Sequence, residues 1–204
     1  MVNTKAVIFD MGGVLLRTED PAPRTEAGKP YNMDARQLAE FVFGSEAGLK
    51  ATLGQINDED LYLDVGKQLK LSGNELERFV TLFWQGDRLD EELANFVRSL
   101  RPEYKTGLLS NAWSGARKAL TDLYPCIDAF DVSIISAEVG LMKPFPEIYQ
   151  LTLQKLDVKP DEAIFVDDMP VNVEAARELG IHGIQFTTTR EVIEQIEEML
   201  QIGK

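Results

Sequence analysis

The sequence has very little cysteine or histidine. Its 204 residues include one of each, Cys126 and His182. A single cysteine excludes a disulfide within the chain and favours a reducing compartment, so we expect a buried thiol at Cys126 and a cytoplasmic protein. A single histidine excludes a histidine cluster, and no thiolate or imidazole set is available for zinc. We expect His182, in the segment LGIHGIQF, to be structural.

Basic residues are scarce relative to acidic ones. The chain has 21 Lys and Arg against 34 Asp and Glu, which gives a net charge of -13. Nucleic acids and anionic membranes repel such a protein unless a local basic patch intervenes, and the sequence shows none. The apolar run between Lys5 and Asp10 is too short for a signal sequence or a membrane span. We therefore expect neither a nucleic-acid nor a membrane partner, and nothing indicates the oligomeric state.

Short apolar runs alternate with longer amphipathic stretches. The predicted strands are KAVIF, YKTGLL, VSII, EAIFV and HGIQF. This alternation is typical of an α/β fold with a doubly wound parallel sheet, covered by helices on both faces. One predicted helix lies between Pro170 and Gly180, and another begins within PFPEIYQLTLQKL.

Residues 34–87 do not follow this alternation. Helical spacing recurs in DARQLAEFVFG, NDEDLYLDVGKQLKL and NELERFVTLFWQG, without a convincing strand. The preceding stretch, RTEDPAPRTEAGKPYN, is polar and contains prolines, which predicts a loop. A chain of this length can hold one full core and an insertion. We therefore predict a core from residues 1–17 and 88–204 and a small helical domain from residues 18–87.

Three of the predicted strands end in polar residues. AVIF is followed by Asp10, GLL by Ser110 and Asn111, and AIFV by Asp167 and Asp168. Ligands bind beyond the carboxyl ends of the strands in an open parallel sheet, so we expect these side chains to converge. Each pair could instead cap a helix, although a cap explains one aspartate more readily than two.

The chemistry of such a cluster favours a metal and a phosphate. Three carboxylates at one point repel each other and raise each other's pKa unless a cation neutralises them. Mg²⁺ is the natural candidate because it takes oxygen ligands and leaves room for water and phosphate. Lys143, in GLMKPFPEIY, would alone be read as a solvated lysine. Together with Ser110 and Asn111 it would complete a pocket for a phosphate dianion.

In this order, IFDMGGVL, LLSN, LMKP and FVDD resemble the four motifs of the haloacid dehalogenase-like hydrolase superfamily. The resemblance covers nearly the whole chain, because the helical insertion lies where the family has its cap domain. It implies a Rossmann-like core. It also implies that Asp10 is the nucleophile, forms an aspartyl-phosphate and binds Mg²⁺, and that Lys143 neutralises charge on the nucleophile and the phosphoryl oxygens.

The resemblance assigns the remaining motif residues to the ligands. It implies that Ser110 binds the phosphoryl group and that Asn111 supports this pocket. It also implies that the backbone carbonyl of Gly12 is a Mg²⁺ ligand, and that Asp167 and Asp168 hold Mg²⁺ directly or through water.

Gly12 departs from the phosphatase pattern, in which this position is usually an aspartate that acts as general acid and base. Glycine keeps the carbonyl ligand but lacks a side chain for proton transfer, which contributes roughly 10²- to 10⁴-fold in rate. We therefore expect slow turnover, or replacement of the acid by another group such as Glu19, Asp20 or a substrate-bound water. The glycines at 12 and 13 could also serve only a tight turn, and Glu19 and Asp20 could be a solvated loop.

The sequence predicts a Mg²⁺-dependent phosphatase for a small phosphorylated metabolite, for example a sugar phosphate. A metal-independent dehalogenase remains an alternative, disfavoured by the paired aspartates. A second alternative is a catalytically impaired module that binds a phosphate ligand or a partner. A phosphomutase is a third, minor alternative. No P-loop or GxGxxG motif is present.

The helical insertion offers further candidates for the substrate pocket. Arg17, Arg24 and Lys50 could contact substrate, although each singly is read as a surface charge. Trp113 could line the pocket or cover the sheet. The aromatic residues of the insertion, Phe79, Phe83 and Trp84, are interpreted as a helix-packing stripe.

Overall fold

The computed structural model describes residues 3–201, which form seven strands and eleven α-helices. The strands are β1 Ala6–Phe9, β2 Leu16–Thr18, β3 Asp87–Leu89, β4 Lys105–Ser110, β5 Val132–Ile135, β6 Ala163–Asp167 and β7 His182–Gln185. The helices are α1 Ala22–Gly28, α2 Ala35–Phe43, α3 Glu46–Thr52, α4 Asp58–Leu69, α5 Asn74–Trp84, α6 Glu91–Ser99, α7 Ala116–Asp122, α8 Ser136–Val139, α9 Pro146–Leu156, α10 Pro170–Glu178 and α11 Thr189–Leu200.

Five strands form one parallel sheet in the order β5-β4-β1-β6-β7. All four side chains of the central strand β1 are buried. A strand with helices over both faces has no solvent-facing side, which is why its sequence is a continuous apolar run rather than an alternation. The predicted α/β fold is confirmed, and each of the five strands lies within about one residue of its predicted position.

Alternate residues of β1 point to opposite faces of the sheet. Val7 and Phe9 pack in one apolar cluster with side chains of α6 and α11. Ala6 and Ile8 pack in a second cluster with side chains of α9 and α10. The helices are therefore divided between both faces, and the sheet edge at the carboxyl ends of the strands stays open for a site.

Helices α1 to α5 have an apolar cluster of their own, which includes Leu38, Leu61, Phe79 and Phe83. The packing interpretation of Phe79 and Phe83 agrees with this cluster. Trp113, which follows β4, also belongs to it and so connects the sheet to these helices. We keep the division at residues 17/18 and 87/88 as a proposal.

The structure corrects two predictions in this region. The stretch RTEDPAPRTEAGKPYN is not a loop, because it contains the end of β2 and the whole of α1. A second short strand, β3, pairs with β2 in an antiparallel ribbon that we did not predict. Three-residue strands carry too little periodicity to be recognised, and α1 buries the charged residue Arg24, which hides its inward face. Helix α3 was also missed.

A buried ion pair connects α1 to this ribbon. The Nη2 atom of Arg24 lies 3.1 Å from Oδ1 of Asp87, and both side chains are largely buried. Thr18 donates a hydrogen bond to the same carboxylate oxygen at 2.6 Å, and the Nε of Arg24 donates to the carbonyl of Phe83 at 2.9 Å. The start of the helical insertion is thereby fixed against its end.

We expect Asp87→Ala to lower the free energy of unfolding by about 3–5 kcal/mol, because it leaves the Arg24 guanidinium buried without its carboxylate. Urea denaturation followed by circular dichroism measures this loss. Arg36→Ala is the control, since Arg36 and Glu40 form an exposed pair on α2 and such pairs contribute about 0.5 kcal/mol. Equal losses in the two variants would contradict the expectation.

Candidate active site

The predicted polar residues converge at the carboxyl edge of the sheet. Asp10 follows β1, and its N–H donates to the carbonyl of Val166 at 2.8 Å, so the sheet pairing continues up to this residue. Ser110 and Asp167 are the last residues of β4 and β6, the two neighbours of β1. All three of these side chains are buried. The sheet order therefore explains why segments distant in sequence meet here.

Lys143 lies at the centre of the site. Its Nζ is 2.8 Å from Oδ1 of Asp10 and 2.6 Å from Oδ2 of Asp167. The residue is only 1% exposed, so it is not a solvated lysine. The side chain of Asn111 holds its backbone, because the amide Nδ2 donates to the carbonyl of Lys143 at 2.9 Å and Oδ1 accepts from its N–H at 2.8 Å. Asn111 thus positions the lysine.

The side chain of Ser110 differs from that of Asn111 in its hydrogen bonding. Its Oγ is buried and has no hydrogen-bond partner among residues 3–201. A buried hydroxyl without a partner is rare in folded proteins and indicates a missing ligand or water. Neither residue caps α7, whose first residue is Ala116 and which has no side-chain cap. The geometry leaves the Ser110 hydroxyl available for a ligand.

Asp167 is held by the start of α10. Its Oδ1 accepts from the N–H of Met169 at 2.8 Å, and Nδ2 of Asn172 lies 3.1 Å from both of its oxygens. The capping interpretation is wrong for this pair, because the N-cap residue of α10 is Met169 and no side chain among the described residues caps this helix. Asp167 instead accepts from the N–H of Met169 and pairs with Lys143. Asn172 was missed from the sequence. The only available signal was that Asn172, a polar residue, lies in the first turn of α10. This position is buried, as is that of the next residue, Val173.

Asp10, Asp167 and Asp168 can present oxygens that all lie within 4.8 Å of one another. Burial raises the pKa of Asp10 from its ordinary value near 3.8 to about 7; Lys143 opposes this shift and Asp167 adds to it. Burial, with the charge of Asp167, also raises the pKa of Asp168. One lysine does not balance three carboxylates, and an all-oxygen cluster with this excess charge fits a hard divalent cation.

The two glycines after Asp10 differ in what they require. Gly13 has φ +78°, and an added Cβ would lie 2.4 Å from Cγ of Asp168, so the turn and the packing both need glycine there. At Gly12 an added Cβ would meet no atom within 4 Å. The tight-turn explanation therefore holds for Gly13 only. Space for a side chain exists at Gly12.

The two residues proposed to replace the acid that Gly12 lacks lie outside the lining of the cavity that adjoins Gly12. Glu19 and Asp20 are exposed, and Oδ1 of Asp20 accepts from the N–H of Ala22 at the start of α1. Neither residue lines the adjacent cavity.

A cavity of about 610 Å³ adjoins the carboxylates, between the sheet edge and the helical insertion. It begins at Met11, Gly12, Gly13 and Asn111, and its further lining is Leu16, Arg17, Thr18, Arg24, Phe43, Asp58, Tyr62, Trp84, Asp87, Ala112, Trp113, Gly115, Ala116, Ala119, Leu120, Leu123 and Tyr124. A volume of this size lies within the range of small-molecule sites.

Several predicted residues can now be placed. Arg17 and Arg24 line the cavity, whereas Lys50 does not and pairs with Glu46 on the surface. Trp113 both lines the cavity and packs against the helical insertion. Trp84 lines the cavity as well, which the packing-stripe interpretation did not anticipate.

The cysteine and the histidine, each of which occurs once in the sequence, do not line the cavity. Cys126 is buried, as expected, and burial raises the pKa of its thiol to about 11. Nε2 of His182 lies 3.1 Å from the carbonyl oxygen of Asp161, a contact in keeping with a structural role.

Comparison with known proteins settles the family. A family model for haloacid dehalogenase-like hydrolases matches residues 4–180. The chain belongs to this family. The resemblance inferred from the four motifs is thereby confirmed. The prediction that the protein is an enzyme of the hydrolase class is confirmed as well. Among residues 3–201, no helix has the length and apolar character needed to cross a bilayer; a cytoplasmic location stays a prediction.

Two relatives of this hydrolase are phosphatases. It is 28% identical to a sesquiterpene phosphatase of Aspergillus oryzae, over 96% of each chain. It is 31% identical to a phosphorylated carbohydrates phosphatase of Thermotoga maritima, over 88% of this chain and 83% of the relative. It also matches acyl-CoA dehydrogenase family member 10, a longer mouse protein, at 28% identity. The match covers 96% of this chain and 19% of the mouse protein.

Solved structures share the fold of this hydrolase. A HAD-like family hydrolase from Porphyromonas gingivalis superposes with a TM-score of 0.79 at 23% identity, over 98% of both chains. A HAD family enzyme from Bacteroides thetaiotaomicron, in complex with magnesium and inorganic phosphate, has a TM-score of 0.75 at 21% identity, over 90% of this chain and 94% of that one.

The raised pKa of Asp10 predicts a pH dependence of stability in the metal-free protein. Between the ordinary value near 3.8 and about 7, the folded protein holds one proton more than the unfolded chain. The stability that this proton contributes is present at low pH and is lost as the pH rises through about 7. Asp10→Asn cannot titrate, so its stability relative to wild type should increase with pH. Urea denaturation in a chelator at several pH values measures the difference, and a difference independent of pH would contradict the prediction.

Proposed function

We propose that this hydrolase is a Mg²⁺-dependent phosphatase that acts on a small phosphorylated metabolite through an aspartyl-phosphate on Asp10. The observation that carries the proposal is the contact of Lys143 with both Asp10 and Asp167 in a buried site. Two relatives, a sesquiterpene phosphatase and a phosphorylated carbohydrates phosphatase, support a phosphate ester as the substrate. The complex of a structural neighbour with magnesium and phosphate supports the ligands.

The two oxygens of Asp10 have separate tasks in this proposal. Oδ1 accepts from the N–H of Met11 at 2.6 Å and from Lys143, which fixes the orientation of the carboxylate. Oδ2 accepts no hydrogen bond within the described part of the chain and is the atom that attacks phosphorus. The bond from phosphorus to the ester oxygen then breaks, and the leaving alkoxide takes up a proton. Water attacks phosphorus next, which releases inorganic phosphate and restores Asp10.

The neighbouring residues stabilise charge during both transfers. Lys143 is held in place before the substrate arrives, so its positive charge needs no reorganisation when charge builds up on the phosphoryl oxygens. The hydroxyl of Ser110 binds a phosphoryl oxygen. Mg²⁺, held by Asp10, Asp167, Asp168 and the carbonyl of Gly12, would neutralise the phosphate and act as a Lewis acid.

Protonation of the leaving group is the weak step. The side chain that normally supplies this proton is absent at Gly12, and no carboxylic acid on the cavity wall next to it takes its place: Asp58 accepts from the Ser114 hydroxyl at 2.5 Å, and Asp87 pairs with Arg24. We therefore propose that a substrate-bound water supplies the proton. Turnover should be slow for esters of poorly acidic alcohols.

Asp10→Asn should lower Mg²⁺-dependent phosphate release by more than about 10³-fold, because it removes the nucleophile. A screen of phosphate esters with and without Mg²⁺, read by release of inorganic phosphate, measures this loss. Asp60→Asn is the control, an exposed carboxyl in the first turn of α4, and should stay within about twofold of wild type.

Each other outcome of the screen has a definite meaning. Equal activity in Asp10→Asn and wild type would remove Asp10 from its role. Absence of phosphate release from every ester would favour the impaired ligand-binding module. In a parallel assay with a halocarboxylate, halide release without metal would favour the dehalogenase.

Gly12→Asp should speed the hydrolysis of an alkyl phosphate by up to about 10²-fold, because it restores an acid for a poor leaving group. The Cβ atom of such a side chain would meet no atom within 4 Å. Hydrolysis of p-nitrophenyl phosphate, whose leaving group needs no proton, should change far less. Gly12→Asn has the same size without the acid, so an equal gain in Gly12→Asn would contradict the explanation.

A further inference from the structure

Four aromatic side chains form one wall of the cavity next to the carboxylates. This aromatic wall consists of Phe43, Tyr62, Trp84 and Trp113. Trp113 is at its centre: its ring centroid lies 5.0 Å from that of Phe43, 6.0 Å from Tyr62 and 5.8 Å from Trp84. Such spacings and the tilted or edge-on ring arrangements are those of favourable aromatic pairs. The wall is therefore a fixed surface, built from the core and the helical insertion together.

The lining of the cavity includes residues next to the phosphate site. Met11, Gly12 and Asn111 belong to its lining, and they follow directly on Asp10 and Ser110. A phosphate ester bound at Asp10 can therefore extend its leaving group into this cavity. The nature of the walls then decides which leaving groups are accepted.

Several polar side chains of the lining already have partners within the protein. Arg24 pairs with Asp87, which also accepts from the Thr18 hydroxyl. The Tyr62 hydroxyl accepts from Nε1 of Trp84 at 2.5 Å. A polyhydroxylated leaving group needs several free donors and acceptors that converge on it, and hydroxyl groups buried without them are unfavourable.

The mouth of the cavity exposes apolar surface. Phe43 is 41% exposed and Leu123 is 72% exposed, and both belong to the cavity lining. Covering such side chains with an apolar ligand removes apolar area from water, which is favourable in proportion to that area. A polar ligand would gain nothing from this contact.

We propose that the leaving group of the substrate is apolar and binds in this cavity against the aromatic wall. The phosphate would bind at Asp10 and Lys143, and a hydrocarbon portion would pack on Trp113 and its neighbours. This inference rests on the proposed phosphatase function and narrows its substrate to phosphate monoesters of apolar alcohols. A sugar phosphate would fit the same phosphate site but would leave its hydroxyl groups poorly paired.

Hexyl phosphate and glucitol 6-phosphate are matched probes, because both have a six-carbon chain and only the second carries hydroxyl groups along it. We expect kcat/KM for hexyl phosphate to be at least about tenfold higher, in line with the selectivity of apolar pockets. Hydroxyl groups make glucitol the more acidic leaving alcohol, so intrinsic reactivity biases the comparison against our expectation. Phosphate release in the presence of Mg²⁺ is the readout.

Binding can be measured without turnover. The chain has two tryptophans, and both of them, Trp84 and Trp113, belong to the aromatic wall. Their fluorescence should change saturably when hexyl phosphate is added to Asp10→Asn in the presence of Mg²⁺. Glucitol 6-phosphate should produce such a change only at about tenfold higher concentration, or not at all.

Leu123→Ser and Leu63→Ser form a matched pair of variants. Both leucines are exposed, at 72% and 48%, but only Leu123 lines the cavity. We expect Leu123→Ser to lower kcat/KM for hexyl phosphate by about three- to tenfold, as the loss of an apolar contact predicts, and Leu63→Ser to leave it unchanged. Phe43→Ser should lower kcat/KM for hexyl phosphate by a similar factor. The ratio of kcat/KM for hexyl phosphate to that for glucitol 6-phosphate should fall in Leu123→Ser and Phe43→Ser and stay the same in Leu63→Ser.

The outcomes separate this inference from the proposed function. Hydrolysis of glucitol 6-phosphate at an equal or higher kcat/KM would overturn the inference and leave the phosphatase standing. Absence of phosphate release from both esters would count against the phosphatase, and the fluorescence titrations would then decide the inference. No preference for hexyl phosphate in binding would overturn it.

Discussion

The ion pairs of Lys143 with Asp10 and Asp167 are the interaction on which the site depends. An ammonium group removed from water needs nearby carboxylates, and each carboxylate in turn needs the ammonium group. The three residues come from three separate segments, and Asn111 adds a fourth by holding the backbone of Lys143. Any displacement of one segment would leave a buried charge without its partner. The site is therefore held in one arrangement before a ligand binds.

Buried ion pairs of this kind contribute little to stability, because desolvation offsets most of their attraction. They matter here because they leave part of the negative charge of the carboxylates uncompensated. Asp168 adds a third carboxylate, and Lys143 compensates only one of the three negative charges. The site thus carries an excess of negative charge that a cation would neutralise, while the hydroxyl of Ser110, which has no hydrogen-bond partner within residues 3–201, can donate to an anion. A divalent cation and a phosphate together meet both requirements.

The core was predictable from the sequence because a parallel sheet covered on both faces has a simple pattern. Its central strands β1 and β6 are nearly continuous apolar runs, and the polar residues at the ends of β1, β4 and β6 stand out against the apolar residues before them. The strand order then brings Asp10, Ser110 and Asp167 together. Motif spacing added Lys143, whose role no local pattern reveals, because it lies in a loop between two helices.

The helical insertion was less predictable because its elements depend on tertiary contacts. Helix α1 turns a charged residue, Arg24, inward, and β2 and β3 are strands only because they pair with each other. Asn172 has only a weak local signal, a polar residue in the first turn of α10, because its partner Asp167 lies on a neighbouring element. The aromatic wall could not be foreseen either: Phe43 and Tyr62 are separated in sequence and meet Trp113 only in the folded chain.

The geometry around Gly12 connects the missing acid with the character of the cavity. Sterics do not require a glycine here, because an added Cβ would meet no atom within 4 Å. An aspartate would place a carboxylate at the entrance of a cavity lined largely by apolar groups, and an apolar leaving group bound there would remove water from that carboxylate. Such desolvation is unfavourable for the charged form and would raise KM for an apolar ester, even where the acid speeds the chemical step. Glycine at this position therefore leaves the passage between the phosphate site and the aromatic wall uncharged, and it lacks the side chain that would transfer a proton.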